Sequence, residues 1–477
     1  MARAQRTVSK RAIMRAGGLA VGLVLLLLSS CSLDIQNPGA ITDDSLNDAS
    51  LMRVVVNGIA NEFNTMVEGF AFDNARLGDG LAGTGSYFQT GRLRRGAMDW
   101  EETAGDWGQI HETIWTGQQA WGRMTSLEDF DETTSELASR AWMMMGFANR
   151  TFGENFCQVV YSVGFDPGTA GPVQPREAAF DSAVVAFNRA ITIGTAAGSA
   201  AADFTMASRA GLAQAYMGKG DFGQAVTHAQ QVPTDFVLSA IFSLQANNNF
   251  VYNETGGRAE GGVFGTYAWQ LDSQDPRAPF TICGTFDDPD NPKNSDVTPT
   301  NAAGCTSHQG ADGITAHYQQ AKYPKAGSDI PVATGVEMRL IEAEAALVSN
   351  DLATFTARIN DVRTFYGLAA IAQPATRGAL EYPNAYDAST GDVTGAGVDG
   401  WSILDGERWL TTWLEGRRVW DLHRWNHPFL DGGIVFWDTE ARRVSCWPIP
   451  EIECTLNDAL SGATLLTGLG SETMTCG

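Results

Sequence analysis

Two histidines four residues apart, His423 and His427 in HRWNH, have the spacing that sets two metal ligands on one helix face. The glutamate of an HExxH centre is missing, and His427 precedes Pro428, where a helix is expected to stop. No metal is expected there. Glycoside hydrolysis would need two carboxylates about 5–10 Å apart, and nothing local singles out such a pair among 55 acidic residues. The G-x-S-x-G elbow of a serine hydrolase is absent. The acid-rich run DDPDNPKNSD (287–296) offers oxygens to calcium, but its two prolines and lack of EF-hand spacing favour a solvated loop. No catalytic residue and no cofactor are expected.

Covalent chemistry is expected at Cys31. Residues 1–30 carry Arg3, Arg6, Lys10, Arg11 and Arg15 and no acid, followed by an apolar run from Ala16 to Leu28. That run falls short of the roughly 20 residues needed to span a bilayer and instead describes a secretory signal. Leu28-Ser29-Ser30-Cys31 fits a bacterial lipobox, whose cysteine becomes a lipid-bearing N-terminus. The reading is a signal peptide at 1–30, a lipidated tether at 31–44, and a protein held to a membrane through its lipid. Asp does not follow Cys31, so the common inner-membrane retention signal is lacking and the outer membrane is favoured. Loss of the signal moves the net charge from −23 to −28 by removing five positive charges. Such an acidic surface repels phosphate backbones, which argues against nucleic-acid binding.

Six cysteines remain, an even number in an exported chain, which favours three disulfides. Proximity in sequence favours Cys283–Cys305 and Cys446–Cys454, leaving Cys157–Cys476 by elimination.

Recognition without chemistry is better supported. There are 13 tryptophans; those at helical positions (Trp115, Trp121, Trp142, Trp409, Trp413, Trp420) and Trp107 at a helix start are read as core. The loop aromatics Tyr87, Phe88, Trp100, Tyr267 and Trp269 are the candidates for stacking on a ligand, with Asp73, Asn74, Arg92 and Arg94 as polar contacts.

These residues need a scaffold. Apolar residues recur at helical spacing over 45–66, 108–124, 135–153 and 177–192. Residues 208–233 lie close to tetratricopeptide spacing, with a Gly220-Asp221 turn and Pro233 at the end, and 337–368 repeats the plan around Asn350-Asp351. Repeats of this kind must stack to bury their faces. Glu407–Trp425 reads as one helix, with Glu415–Arg418 and Arg417–Asp421 paired along it. Between the helical blocks, 67–104, 244–334 and 369–402 are too long for simple connectors. No low-complexity linker interrupts the chain, so 45–477 is read as one domain, with helical repeats near 45–66, 105–240, 335–368 and 403–425. The fold class is mostly α, a tetratricopeptide-like helix-pair scaffold with a large loop-rich ligand-binding lobe.

Several segments together resemble the SusD/RagB family of outer-membrane nutrient-binding lipoproteins. The opening CSLDIQNPGAIT with Asn57-Gly58-Ile59, the Arg140–Gly153 helix end and Asp275-Pro276-Arg277 fit its pattern. So do Glu337–Ala345 and Asn360–Arg363, although Glu342 stands where the family usually has arginine. The most specific piece is ERWLTTWLEGRRVWDLHRW (407–425), followed by WPIPEI at 447–452. The resemblance implies an aromatic platform built on loops, matched here by region only. It also implies an oligosaccharide or peptide ligand and delivery to a SusC-like TonB-dependent outer-membrane transporter at the cell surface. A surface glycoside hydrolase and a tetratricopeptide assembly scaffold are the rival readings.

Overall fold

Several of the long helices begin where the sequence supplies a cap. The computed structural model describes residues 43–161, 170–271, 275–433 and 442–477; Cys31, the signal and the tether up to residue 42 lie outside them. The long helices are α1 (Met52–Leu77), α2 (Phe88–Arg95), α3 (Ala104–Ser126), α4 (Glu136–Asn155), α5 (Glu177–Ala197), α6 (Ala202–Gly218), α7 (Phe222–Ala229), α8 (Gly335–Val348), α9 (Leu352–Phe365), α10 (Gly400–Thr411) and α11 (Arg418–Arg424). Ser135, Asp221, Thr334, Asp351 and Asp399 each accept a hydrogen bond from the first turn of the helix that follows. From Asp48 to Gly477 the chain forms one compact unit.

Both expected helix pairs are present. Gly220 (φ 73°) turns α6 into α7, and Asn350 (φ 61°) turns α8 into α9. Each of α3 to α6 packs against the next, α6 packs on α7, and α7 meets α8. Small residues permit this closeness. A Cβ on Gly146 or Gly211 would lie 2.5 and 2.2 Å from the Phe187 ring, and one on Gly218 would lie 2.5 Å from Phe180. Two phenylalanines of α5 thus fill the space that glycines of α4 and α6 leave open.

The first helix runs past Met66 to Leu77, so Asp73 and Asn74 stand on a helix and not in a loop. Val67, Phe70, Ala71, Phe72, Asn74 and Ala75 are all buried, and burial on nearly every side erases the stripe that marks a surface helix.

Glu407–Trp425 is two helices, not one. The chain leaves α10 at Thr412 and turns through Leu414 (φ 58°) and Gly416 (φ 72°) before α11 begins. The turn is held from outside, since the Trp413 carbonyl accepts from Lys322 Nζ (2.6 Å) and the Leu414 carbonyl from the Tyr323 hydroxyl (3.0 Å). A side chain on Gly416 would press on the Phe70–Ala71 backbone of α1 at 3.3 Å.

This break replaces the expected surface pairs along one helix with buried pairs between elements. Arg417 binds Glu154 of α4 (2.5 Å) and Glu337 of α8 (3.0 Å). Arg418 binds Asp79 and Asp405, each at 2.6 Å, and Glu415 pairs with Lys322 at 2.7 Å. Asp421 takes Arg408 and Arg424, both at 2.8 Å. Glu407 accepts from Arg363 (2.6 Å), from the Tyr386 hydroxyl (2.8 Å) and from Arg277. The arginine-rich signature is therefore a set of internal struts.

Two of the three expected disulfides are re-paired. Cys283–Cys305 is present, but the others are Cys157–Cys446 and Cys454–Cys476, not Cys446–Cys454 and Cys157–Cys476. The reason lies in the backbone. Trp447 N donates to the Asn155 carbonyl (2.8 Å) and Cys157 N to the Trp447 carbonyl (2.9 Å), which sets Cys446 beside the end of α4. The proline-containing stretch 447–450 then carries the chain away, and Cys454, on a short helix (Glu451–Leu456), faces Cys476 of the C-terminal hairpin, Thr464–Leu466 with Thr473–Thr475.

Candidate ligand-binding surface

Three loop segments are stitched together outside the helix pairs. Strand Ala82–Gly83 pairs antiparallel with Gly261–Gly262. Thr84 continues the contact, donating from N to the Glu260 carbonyl (3.1 Å) and from its hydroxyl to the Ala259 carbonyl (2.8 Å). Asp312 N donates to the Thr84 carbonyl (2.8 Å), and Ala311 N to the Ala259 carbonyl (3.0 Å), which brings in 308–317. Backbone bonds of this kind leave the side chains free to face outward.

Tyr87 and Phe88 cross from this stitched region into α2. They are 48% and 77% exposed, and Phe88 is the most exposed large apolar residue described. Arg258 lies 4.9 Å above the Tyr87 ring, at the end of one wide helical turn (Asn253–Gly257), and is itself paired with Glu254 at 3.2 Å. Wide turns of this type recur at functional sites. Arg92 lies 5.7 Å from the Phe88 ring and pairs with Asp99 and Glu102. Arg94 donates to the Gly83 carbonyl (3.0 Å) and reaches Asp312 at 3.9 Å.

Trp269 is 39% exposed and sits in a short helical turn, Tyr267–Gln270. Its ring is 4.7 Å from Phe264, which in turn packs against Phe286 (5.0 Å) and Tyr318 (5.6 Å). Phe264 lies two residues beyond the strand Gly261–Gly262 that pairs with Ala82–Gly83, and Val263 N donates to the Tyr318 carbonyl at 2.8 Å.

The remaining candidates have inward partners. Tyr267 directs its hydroxyl to the Tyr386 carbonyl and its ring to Trp409 at 5.6 Å. Asn74 is fully buried; it donates to Asn155 (2.6 Å) and to the Gly416 carbonyl (2.9 Å) and accepts from Trp447 Nε1 (3.2 Å). Asp73 pairs with Arg76 on its own helix. Trp100 is half-buried in a turn whose ends Asp99 and Glu102 close as a capping box. Arg258 and Phe264 were not among the sequence candidates. The aromatic density of VFGTYAW was a usable signal for Phe264, whereas nothing in NETGGRAEGG marked Arg258.

Among the described residues the two histidines of HRWNH share no partner. His423 Nδ1 meets Ser445 (3.2 Å) and His427 Nε2 meets Asp405 (3.3 Å). The 287–296 run is the tip of a hairpin between Gly284–Phe286 and Val297–Pro299.

Beneath the stitched loops lies an acid-rich layer. Arg76 binds Asp73 and Thr90 (2.8 Å) and stacks 4.0 Å over Phe72. Burial, with Asp73 adding repulsion, pushes the Asp106 carboxyl well up, and burial with Glu260 nearby pushes Glu254 up to about 7. Burial also lifts Glu68 to about 7 against the opposing hydrogen bond from Phe250 N (2.7 Å). A carboxyl whose folded pKa is raised destabilises the fold as pH climbs from its unfolded value toward about 7. Glu68→Gln keeps an acceptor for Phe250 N and removes that charge. It is expected to stabilise the protein by about 1–3 kcal/mol at pH 8 and to have little effect at pH 4, as read from thermal melts at the two pH values.

No curated protein matches the chain. Solved structures share its fold. A SusD-like protein from Bacteroides fragilis NCTC 9343 aligns with a TM-score of 0.59 and 14% identity, over 88% of this chain and 97% of its own. A SusD/RagB family protein from Bacteroides thetaiotaomicron VPI-5482 gives 0.60 and 13%, over 86% and 94%. A chitin-binding SusD homologue from Flavobacterium johnsoniae gives 0.60 and 12%, over 85% and 94%. The sequence model of the SusD family matches residues 264–433, which include Phe264, Trp269 and the whole arginine-rich signature. The chain therefore resembles the SusD family over residues 264–433 and shares the fold of SusD-like proteins.

Proposed function

We propose that this protein is a non-enzymatic nutrient-binding lipoprotein that captures an oligosaccharide on its loop surface. It passes the ligand to a SusC-like TonB-dependent transporter in the outer membrane, to which the lipid on Cys31 tethers it. The observation that carries this reading is the exposure of Tyr87, Phe88 and Trp269 on short helical segments and their starts, next to loops sewn to one another by backbone bonds. Flat exposed rings supply stacking faces for pyranose C–H surfaces, and Arg92, Arg94 and Arg258 supply donors for hydroxyls. Each of these arginines is matched by a carboxylate, so the surface suits a neutral glycan better than an anionic one. The name of the Flavobacterium johnsoniae homologue makes chitin oligosaccharides the first probes to try.

The test is a panel of chitin and other neutral oligosaccharides, with a peptide library beside it, measured by calorimetry on the ectodomain. Trp269→Ala and Tyr87→Ala are each expected to weaken glycan binding about 10-fold or more, with the melting temperature unchanged. Binding of peptides alone would reassign the ligand. Release of sugars from a polymer by the purified ectodomain would overturn the non-enzymatic reading.

A further inference from the structure

A second cleft, which none of the exposed platform residues lines, has the furnishings of a small-ligand site. It encloses about 260 Å³ between the Asp275-Pro276-Arg277 turn, the end of α9 and the α10–α11 break. Pro276, Pro279 and Pro331 give it apolar walls, and Tyr366 lies in its lining. One face of that ring is approached by the Arg277 guanidinium at 5.8 Å, and Phe365 meets it edge-on at 5.1 Å.

The polar groups around this space are not used up. Thr411 is buried and lines the cleft, yet its hydroxyl has no partner among the described residues. Lys322 makes two of the three hydrogen bonds its ammonium can donate, to the Trp413 carbonyl and to Glu415 Oε1. The second oxygen of Glu415 and the hydroxyl of Tyr366 take part in no hydrogen bond among the described residues. An orphaned buried hydroxyl costs free energy unless something fills the site.

Charge narrows the class of ligand. Lys322 is neutralised by Glu415, and Arg277 by Asp275 and Glu407. The lining therefore offers donors and acceptors of both kinds without net charge, against apolar walls. The volume lies just below the roughly 300–1,000 Å³ of sites for drug-sized ligands. We propose that this cleft is a binding site for one neutral polyhydroxylated ring, a single sugar unit, separate from the loop platform. Its ligand class follows from its own lining and does not depend on what the platform binds.

The experiment uses the Trp269→Ala ectodomain, so that platform binding does not mask the second site. Methyl glucoside, methyl galactoside and N-acetylglucosamine are titrated one at a time by ligand-observed NMR. At least one is expected to bind with a dissociation constant in the millimolar range or tighter. Thr411→Val and Tyr366→Leu, made in the same background, are each expected to weaken it at least 10-fold. Thr411→Val replaces a partnerless hydroxyl by a methyl of similar size, so the variant is expected to fold, and a thermal melt verifies this. The proposal is overturned if no probe binds more tightly than about 10 mM, or if binding persists unchanged in folded Thr411→Val and Tyr366→Leu proteins.

Discussion

Glu407→Ala is expected to cost about 3–5 kcal/mol of folding stability. The carboxylate is completely buried and holds Arg277, Arg363 and the Tyr386 hydroxyl at once. Its removal leaves two guanidinium groups inside the protein with one partner fewer, and Arg363 keeps no other carboxylate among the described residues. An unmatched buried charge costs far more than the lost attraction itself. Arg53→Ala is the control, because Arg53 is about two-thirds exposed and pairs with Glu136 at the surface; it should cost less than about 1 kcal/mol. Urea midpoints followed by circular dichroism separate the two. Equal midpoints for the two variants would mean that the internal struts contribute no more than surface pairs. Acid should find the same weakness. Burial alone would raise the Asp421 carboxyl, but Arg408 and Arg424 outweigh it and hold the group at about 2. A depressed carboxylate contributes stability above its unfolded pKa, near 3.9, and loses it as the pH falls toward the folded value. Unfolding is therefore expected to set in between about pH 4 and 2.

What could be read from the sequence followed from local rules. The α6–α7 and α8–α9 pairs were legible because Gly220-Asp221 and Asn350-Asp351 are turn-and-cap chemistry written within a few residues. The same reasoning failed at Glu407–Trp425, since a continuous apolar stripe does not record that Lys322 and Tyr323, distant in sequence, hold the turn at 413–414. Charge spacing misled for a similar reason. Arg417 and Asp421 are four apart, but the contacts that decide their places come from Glu154, Glu337 and Arg408. At the loop surface, residue type found Tyr87, Phe88 and Trp269, which are exposed, and equally Tyr267, which turns inward to Tyr386. Only the fold distinguishes them. An exposed tyrosine and one that donates to a buried carbonyl look alike in a Gly-rich run.

Replacing Cys157 and Cys446 together by alanine is expected to destabilise the protein more than the same change at Cys283 and Cys305. The first bridge spans 289 residues and the second 22. If cross-links act by restricting the unfolded chain, that difference is worth about 2 kcal/mol, within the usual 2–5 kcal/mol for losing a disulfide. Comparable losses from the two replacements would place the stabilisation in native contacts instead. The local consequence separates this bridge from the others. Next to Cys446, Arg443 donates to the Leu77 and Arg94 carbonyls (2.9 and 3.1 Å), and Val444 N to the Gly96 carbonyl (2.8 Å). Gly96 is in the left-handed region (φ 78°), and the space a side chain would need there is filled by Arg443. The segment that the bridge pins to α4 therefore also clamps α2, which carries Phe88, Arg92 and Arg94. Hydrogen exchange on the Cys157→Ala/Cys446→Ala protein should show protection falling first at 88–96 and 443–447 while α5 and α6 stay protected. Uniform loss across the helix pairs would mean that the bridge supports the scaffold as a whole and not the loop surface that it adjoins.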